Sequence, residues 1–319
     1  MMSAMRTTES PRGLRLTVLG RGPAQPQPDS PASGLLVERG ESAVMIDAGQ
    51  GTIGRLGRTR DPRTLDAIVI SHMHADHSID LIGLRYLVPW AGGGGDQPRV
   101  FLPPGGRSAL GRLATAISER ETFFEDGFEL AEYDPTATLR IGPLALRFVP
   151  GQHYVRSFGV LVEDEAGARL GYTSDTGPSV SVAEAFRDVD LLVTEATLRS
   201  IDEDEPRRGH QTPREGIELG QATSARSVLL THFASSRRSA LELMARAADR
   251  RVDVADPGLT GEIVPGVGLV LGTNPEAPDR PALRIDGSVA VVPDRVTGRG
   301  DGVEPDRLLQ GPRLGLAAS

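Results

Sequence analysis

Residues 71–80 read SHMHADHSID and continue directly from AIVIS (67–71), an apolar run with the length and β-branched content of a buried strand. His72, His74, Asp76 and His77 fall within six positions, in a chain that holds six histidines in all. Imidazoles this close repel one another when protonated, so their clustering needs a physical reason. In an extended segment, side chains two apart lie on the same side, which places His72 with His74. Asp76 and His77 then open a helix and face a second point. One loop thus offers three neutral nitrogen donors and a carboxylate, a set suited to zinc or its neighbours. A strand that must end in such a loop confines the chain to folds whose strand ends carry a site.

The remaining segments fit that constraint. LRLTVLG (14–20), GLLVE (34–38) and AVMID (43–47) read as strands, the last two joined across RGES as a hairpin. VFLPP (100–104) is a further strand, and RSALGRLATAI (107–117) has helical spacing. LALRFVP (144–150) alternates and ends just before His153, while SFGVLVE (157–163) and RLGYTSD (169–175) pair across DEAG. DLLVTEA (190–196) and SVLLTHF (227–233) flank a helix at 212–224, where Thr212 caps and Pro213 takes the first helical position. ALELMARAA (240–248) is another helix. Strands dominate early and βα alternation late, the pattern of a layered α/β domain. His153, Asp175 and His232 each stand at the C-terminal end of a strand, where an α/β layer presents a site. The organisation expected is a flexible leader at 1–13, a catalytic domain at 14–264 and a Pro/Gly-rich tail at 265–319. That tail reads as extended or disordered, although LVLG (269–272) and VAVV (289–292) could add edge strands.

Composition narrows the function. The chain has no cysteine, which excludes disulfides and thiolate chemistry. All 35 basic residues are arginine, and the net charge of −8 comes without a basic run, a poor basis for gripping long nucleic acid. The first residues carry no apolar stretch of a secretory signal, and no apolar run has membrane-spanning length, so a cytoplasmic protein is expected.

HMHADH with the later His153, Asp175 and His232, together with LTVLG and MIDAG, resembles the metallo-β-lactamase superfamily over residues 14–264. The resemblance implies a four-layer αββα sandwich with two divalent metal ions, zinc first and manganese or iron as alternatives. His72, His74 and His153 would hold one ion, Asp76, His77 and His232 the other, and Asp175 would bridge them. Within the superfamily, GHQTPREGIELGQATSARSVLLTHF (209–233) and TEATL (194–198) are similar to tRNA 3′-processing ribonucleases of the ribonuclease Z type and their short phosphodiesterase relatives. By that likeness His210 is the general acid or a phosphate contact, and Glu195 the carboxylate that orients it.

Two departures from the ribonuclease pattern matter. Thr194 stands where those enzymes often carry histidine. The stretch 154–174 between His153 and Asp175 has room only for two strands, without the long arm that grips the tRNA elbow. The resemblance therefore implies a phosphodiesterase of small anionic nucleotides (the cyclic-nucleotide type), with RNA 3′ ends kept open. It works by attack of a metal-bridged hydroxide on phosphorus, which Asp76 and Asp175 position, and homodimers are frequent among such relatives. A lactonase or arylsulfatase of the same fold is the alternative, because those enzymes share the ligand set. One or two of Arg156, Arg199, Arg207, Arg208, Arg214, Arg237 and Arg238 could contact phosphate, most such arginines being solvated surface residues, and Tyr154 and Phe233 flank ligands, where packing is the first reading and stacking on a base the second.

Overall fold

The computed structural model describes residues 13–88 and 97–272. The leader before Gly13 and the tail beyond 272 lie outside the described residues.

The chain opens with an antiparallel meander, β1 (Leu14–Gly20), β2 (Gly34–Arg39) and β3 (Ser42–Ile46), the latter two paired from Leu35↔Ile46 to Arg39↔Ser42. Then come α1 (Thr52–Leu56), β4 (Ala67–Val69), α2 (Ala75–Ser78), α3 (Leu81–Leu87), β5 (Arg99–Leu102), α4 (Gly106–Ser118) and β6 (Glu129–Glu132). The second half supplies β7 (Leu139–Ile141), β8 (Leu144–Pro150), β9 (Phe158–Asp164), β10 (Arg169–Tyr172), α5 (Val180–Ala185), β11 (Leu191–Glu195), α6 (Pro213–Ala222), β12 (Ser227–Thr231), α7 (Arg238–Ala247) and β13 (Val252–Val254). A final hairpin, β14 (Thr260–Val264) and β15 (Gly268–Leu271), returns to the first sheet beside β1. Strand order is β15-β14-β1-β2-β3-β4-β5-β6 in one sheet and β13-β12-β11-β10-β9-β8-β7 in the other.

Side-chain alternation sorts these strands into layers. Leu35, Val37, Val44 and Ile46 meet Phe148, Val160, Leu191 and Val193 in a core shared by the two sheets. Their neighbours Leu36, Ala43 and Met45 point the other way, into a second core with Ile53, Leu56, Leu81, Leu84 and Leu110 of the helices. On the far side, Val182 and Phe186 cover Leu161 and Leu192, while Leu241 covers Val228 and Leu230. Both faces of both sheets are thus covered, which is why the central strands read as unbroken apolar runs. The result is the expected αββα sandwich.

Within the described residues the strands and helices expected from sequence are present, with ends shifted by a few residues; β4 stops at Val69, short of 71, and VAVV (289–292) lies outside the described residues. Strands β6, β7, β13 and β14 are absent from that reading. They are short, and ELAE and VDV carry too many acids to register as apolar runs. The boundary drawn after residue 264 falls inside the β14–β15 hairpin, so LVLG contributes an edge strand to the sheet. Helix α6 starts as expected: the Thr212 hydroxyl accepts from the Glu215 amide, the Glu215 carboxylate accepts from the Thr212 amide, and Pro213 follows the cap. That fixes the helix start by about 1 kcal/mol.

One close approach positions the histidine loop. The Ala48 amide donates to the His77 carbonyl at 2.7 Å and the Ser33 amide to the Asp76 carbonyl at 3.1 Å. Between them, a Cβ on Gly49 would lie 1.9 Å from the Asp76 carbonyl oxygen. Gly49→Ala must therefore move the loop, and destabilisation of about 1–3 kcal/mol is expected. A Cβ on Gly54, inside α1, meets nothing within 4 Å, so Gly54→Ala should stabilise by about 0.5–1 kcal/mol. Urea denaturation midpoints check the pair, and shifts of the same sign would contradict this account.

Candidate metal centre

Parallel pairing of β3 with β4, and of β11 with both β10 and β12, brings the C-terminal ends of these strands into line. The amide of Phe158, at the start of β9, donates to the Ser71 carbonyl at 3.2 Å and ties the two sheets together there. All seven expected ligands converge at this point. His72, His74, His153 and Asp175 form one group and Asp76, His77, Asp175 and His232 a second, with the donor atoms of each within 4.8 Å of one another. Asp175 belongs to both. Its Oδ1 lies 3.3 Å from His77 Nε2, and its Oδ2 lies 3.4, 3.8 and 3.9 Å from the Nε2 atoms of His232, His72 and His153.

Hydrogen bonds on the outer side of each ring fix which nitrogen faces inward. His77 Nδ1–H donates to Asp47 Oδ2 at 2.7 Å, and His153 Nδ1–H to the Gly209 carbonyl at 2.8 Å. His232 Nδ1–H donates to Thr197 Oγ1 at 2.8 Å, and that hydroxyl donates in turn to Glu195 Oε2 at 2.5 Å. His72 Nδ1 sits 3.2 Å from Ser71 Oγ, which donates to Asp47 Oδ2. Each of these rings therefore turns a bare Nε2 lone pair into the site. His72 Nε2 and His153 Nε2 both converge on His74 Nδ1, at 3.2 and 3.1 Å, where one ring proton can serve only one of them. His232 Nε2 faces Asp76 Oδ2 at 3.2 Å, and neither the buried His77 Nε2 nor Asp175 Oδ1 has a hydrogen-bond partner.

Acceptor facing acceptor inside a buried site is repulsive unless a positive charge lies between them. Burial, reinforced by neighbouring imidazoles and opposed by Asp175, lowers the pKa of His72; burial likewise lowers those of His74 and His153, so these rings are neutral donors. Burial alone would lower the pKa of His77, but Asp175 and Asp47 on either side raise it well above the usual value. That position demands a cation, either a second proton or a metal. The donor set thus fits divalent metal ions.

A third cluster, Glu195, His210 and His232, differs in kind. His210 Nδ1–H donates to Glu195 at 3.1 Å, and Glu195 Oε1 also accepts from the Thr176 amide at 2.7 Å. Here every acceptor has its donor, so the cluster is a hydrogen-bond relay. Burial lowers the His210 pKa, yet the hydrogen bond and charge of Glu195, with Asp175 and Asp204, raise it to about 9.

Most of the candidate arginines are already engaged. Arg199, Arg208 and Arg214 pair with Glu203, Glu215 and Glu218, and Arg238 pairs with Glu242 and Asp256. Arg237 donates to the carbonyls of Ala196, Thr197 and Leu198. Arg156 and Arg207 remain, exposed and without an ion-pair partner among the described residues. Phe233 is corrected as a base-stacking candidate: it is 0 % exposed and covered by the Arg21 guanidinium at 4.4 Å. Tyr154 is 54 % exposed.

The sequence reading missed Asp47. It lies at the end of β3 with a left-handed backbone (φ 62°), a conformation shared by Ser174 (54°) and His232 (54°). Its carboxylate accepts from the Ser71 amide (2.7 Å), Ser71 Oγ (2.8 Å), His77 Nδ1 (2.7 Å) and the Tyr172 hydroxyl (2.9 Å). An acid ending an apolar strand, as in MIDAG, was the available signal.

Fold and site together define a metal-dependent hydrolase. The family described as beta-lactamase superfamily domain matches residues 42–233. The Mycobacterium tuberculosis protein Rv1339 is 32% identical over 227 residues, covering 69% of this chain and 81% of its own. Ribonuclease Z of Myxococcus xanthus is 28% identical over 304 residues, with 78% and 98% covered. The solved structure of the metallo-beta-lactamase fold protein YhfI from Bacillus subtilis superposes with a TM-score of 0.68 at 22% identity, over 78% of this chain and 99% of that one. The chain belongs to the beta-lactamase superfamily. No helix among the described residues is long and apolar enough to cross a membrane.

Removing the Asp47 charge leaves four donors facing a poorer acceptor and frees the His77 ring. Asp47→Asn is expected to weaken divalent-metal affinity 10–100-fold. Competition with a chelator measures it; affinity equal to that of the unaltered protein would show that Asp47 does not hold the ring.

Proposed function

We propose that the chain is a dinuclear metal-dependent phosphodiesterase acting on small nucleotides of the cyclic type, with RNA 3′ ends as the nearest alternative substrate. The observation that carries this reading is the His210–Glu195 pair beside both ligand groups, a proton donor that hydrolysis of a phosphodiester with a poor leaving group requires. His72, His74 and His153 would hold one ion, and Asp76, His77 and His232 the other, with Asp175 shared. Zinc suits these donors best, and manganese or iron are the alternatives. When bound, such a pair supplies Lewis acidity toward phosphoryl oxygens and lowers the pKa of water.

The chain's own residues do the rest. Asp76 and Asp175 offer carboxylate oxygens that orient a water toward phosphorus. Glu195 accepts a hydrogen bond from His210 Nδ1–H, fixes the ring and leaves Nε2–H to donate its proton to the oxygen of the departing group. Thr197 extends the same relay to His232, so the acid and one ligand ring are oriented by a single carboxylate. A net charge of −8 and the short 154–174 connection favour a small substrate over a folded RNA. The relative named ribonuclease Z keeps RNA ends in the reading.

A panel of cyclic nucleotides, an aryl phosphodiester, an aryl sulfate, a lactone and a precursor tRNA, assayed with metal analysis, tests the proposal. The expected result is two metal ions per chain and turnover of the phosphodiesters. Turnover of the lactone or aryl sulfate alone would replace this reading with an ester hydrolase of the same fold. His210→Ala should lower kcat on an alkyl-leaving phosphodiester by about 10²–10⁴-fold with metal content retained. A kcat equal to that of the unaltered enzyme would remove His210 as the acid.

A further inference from the structure

The ligands differ in exposure in a way that locates the mouth of the site. The side chains of His72, Asp76, His77, His153, Asp175 and His232 are buried, whereas His74 is half-buried and the His210 side chain is 17% exposed. Substrate therefore enters on the side of the His74 and His210 rings. Tyr154 stands on that side, its ring centroid 4.9 Å from His153 and 5.7 Å from His210.

Two contacts hold the Tyr154 ring in place although it is largely exposed. Gly209 packs directly beneath it, so close that a Cβ there would lie 2.6 Å from ring atoms. Burial and the neighbouring Asp204 carboxylate push the phenol pKa up to about 12, and that carboxylate accepts from the Gly209 amide at 2.9 Å. An exposed tyrosine on a loop ordinarily samples several rotamers; this one has the Gly209 backbone against its ring, a carboxylate beside its tip and the remaining surface open. Packing does not require it, since it contributes to none of the hydrophobic cores. The exposed Arg156 follows Tyr154 closely in sequence, and the exposed Arg207 closely precedes Gly209.

We propose that Tyr154 is a stacking platform for the base of the substrate, which makes the substrate a nucleotide rather than a simple alkyl phosphodiester. This inference rests on the phosphodiesterase reading for the reaction, but concerns recognition of the base. A clamped aromatic face loses little conformational entropy on binding and accepts any base, so it selects for the presence of a base more than for its identity.

Calorimetric titration of the metal-loaded protein with adenosine 5′-monophosphate and with ribose 5-phosphate reads this directly. The nucleotide should bind at least about tenfold more tightly, a preference that Tyr154→Phe keeps and Tyr154→Leu, of similar bulk without a π-face, abolishes. Equal affinity for the two ligands, or a preference that survives in Tyr154→Leu, overturns the proposal. Hydrolysis of cyclic adenosine monophosphate is measured on the same samples. Base preference without turnover would sink the phosphodiesterase reading alone, and turnover without base preference would sink the stacking platform alone.

Discussion

The buried carboxylate of Asp47 ties the architecture to the site. It draws on the strand end that carries Ser71, on the ring of His77 and on Tyr172 from the opposite sheet. Those donors come from elements 24 to 125 residues away, so no local segment can place them. Because a charged acceptor in a low-dielectric interior holds its donors firmly, the carboxylate fixes the separation of the two sheets where the ligands must meet. The helices outside the sheets keep water from competing for these bonds.

Around that anchor the site divides into two kinds of polar cluster. In one, lone pairs confront lone pairs and carboxylate oxygens, an arrangement stable only around positive charge. In the other, Glu195, Thr197, Thr176 and His210 pass hydrogen bonds so that each acceptor is satisfied. The first kind suits a cation; the second holds the His210 ring through its Nδ1 bond to Glu195. Ring distances alone do not separate them, since His210 and His232 are stacked at 5.7 Å. The far nitrogen does: His232 Nε2 faces the Asp76 carboxylate at 3.2 Å.

Much of this was legible in the chain. Apolar runs ending in His72, Asp175 and His232 revealed the strands and the site at once, because a strand buried on both faces leaves polar chemistry only at its ends. Thr212 with Pro213 revealed a helix start because a cap and the residue after it are encoded locally. What escaped were the short strands β6, β7, β13 and β14, whose few residues show no sustained alternation, and Asp47, whose partners lie far along the chain. The engagement of five candidate arginines was also invisible, since a guanidinium's partner is decided by tertiary packing. Tyr154 and Phe233 looked equivalent beside their histidines, yet one is a rim residue and the other is sealed beneath Arg21. Neighbouring positions in sequence carry no information about which face of a strand end is open.

The left-handed backbone at Asp47, Ser174 and His232 restricts how this chain could change. Each position combines a conformation that disfavours most side chains, by about 1–2 kcal/mol, with a hydrogen-bonding duty that glycine cannot perform. Relief of strain and retention of chemistry therefore pull toward different residues. A drifting sequence can satisfy both only with a short polar side chain or the one already present. Exploration of new substrates is thereby channelled away from the strand ends and into the loops at the mouth, where Tyr154 and its neighbours are free of that double demand.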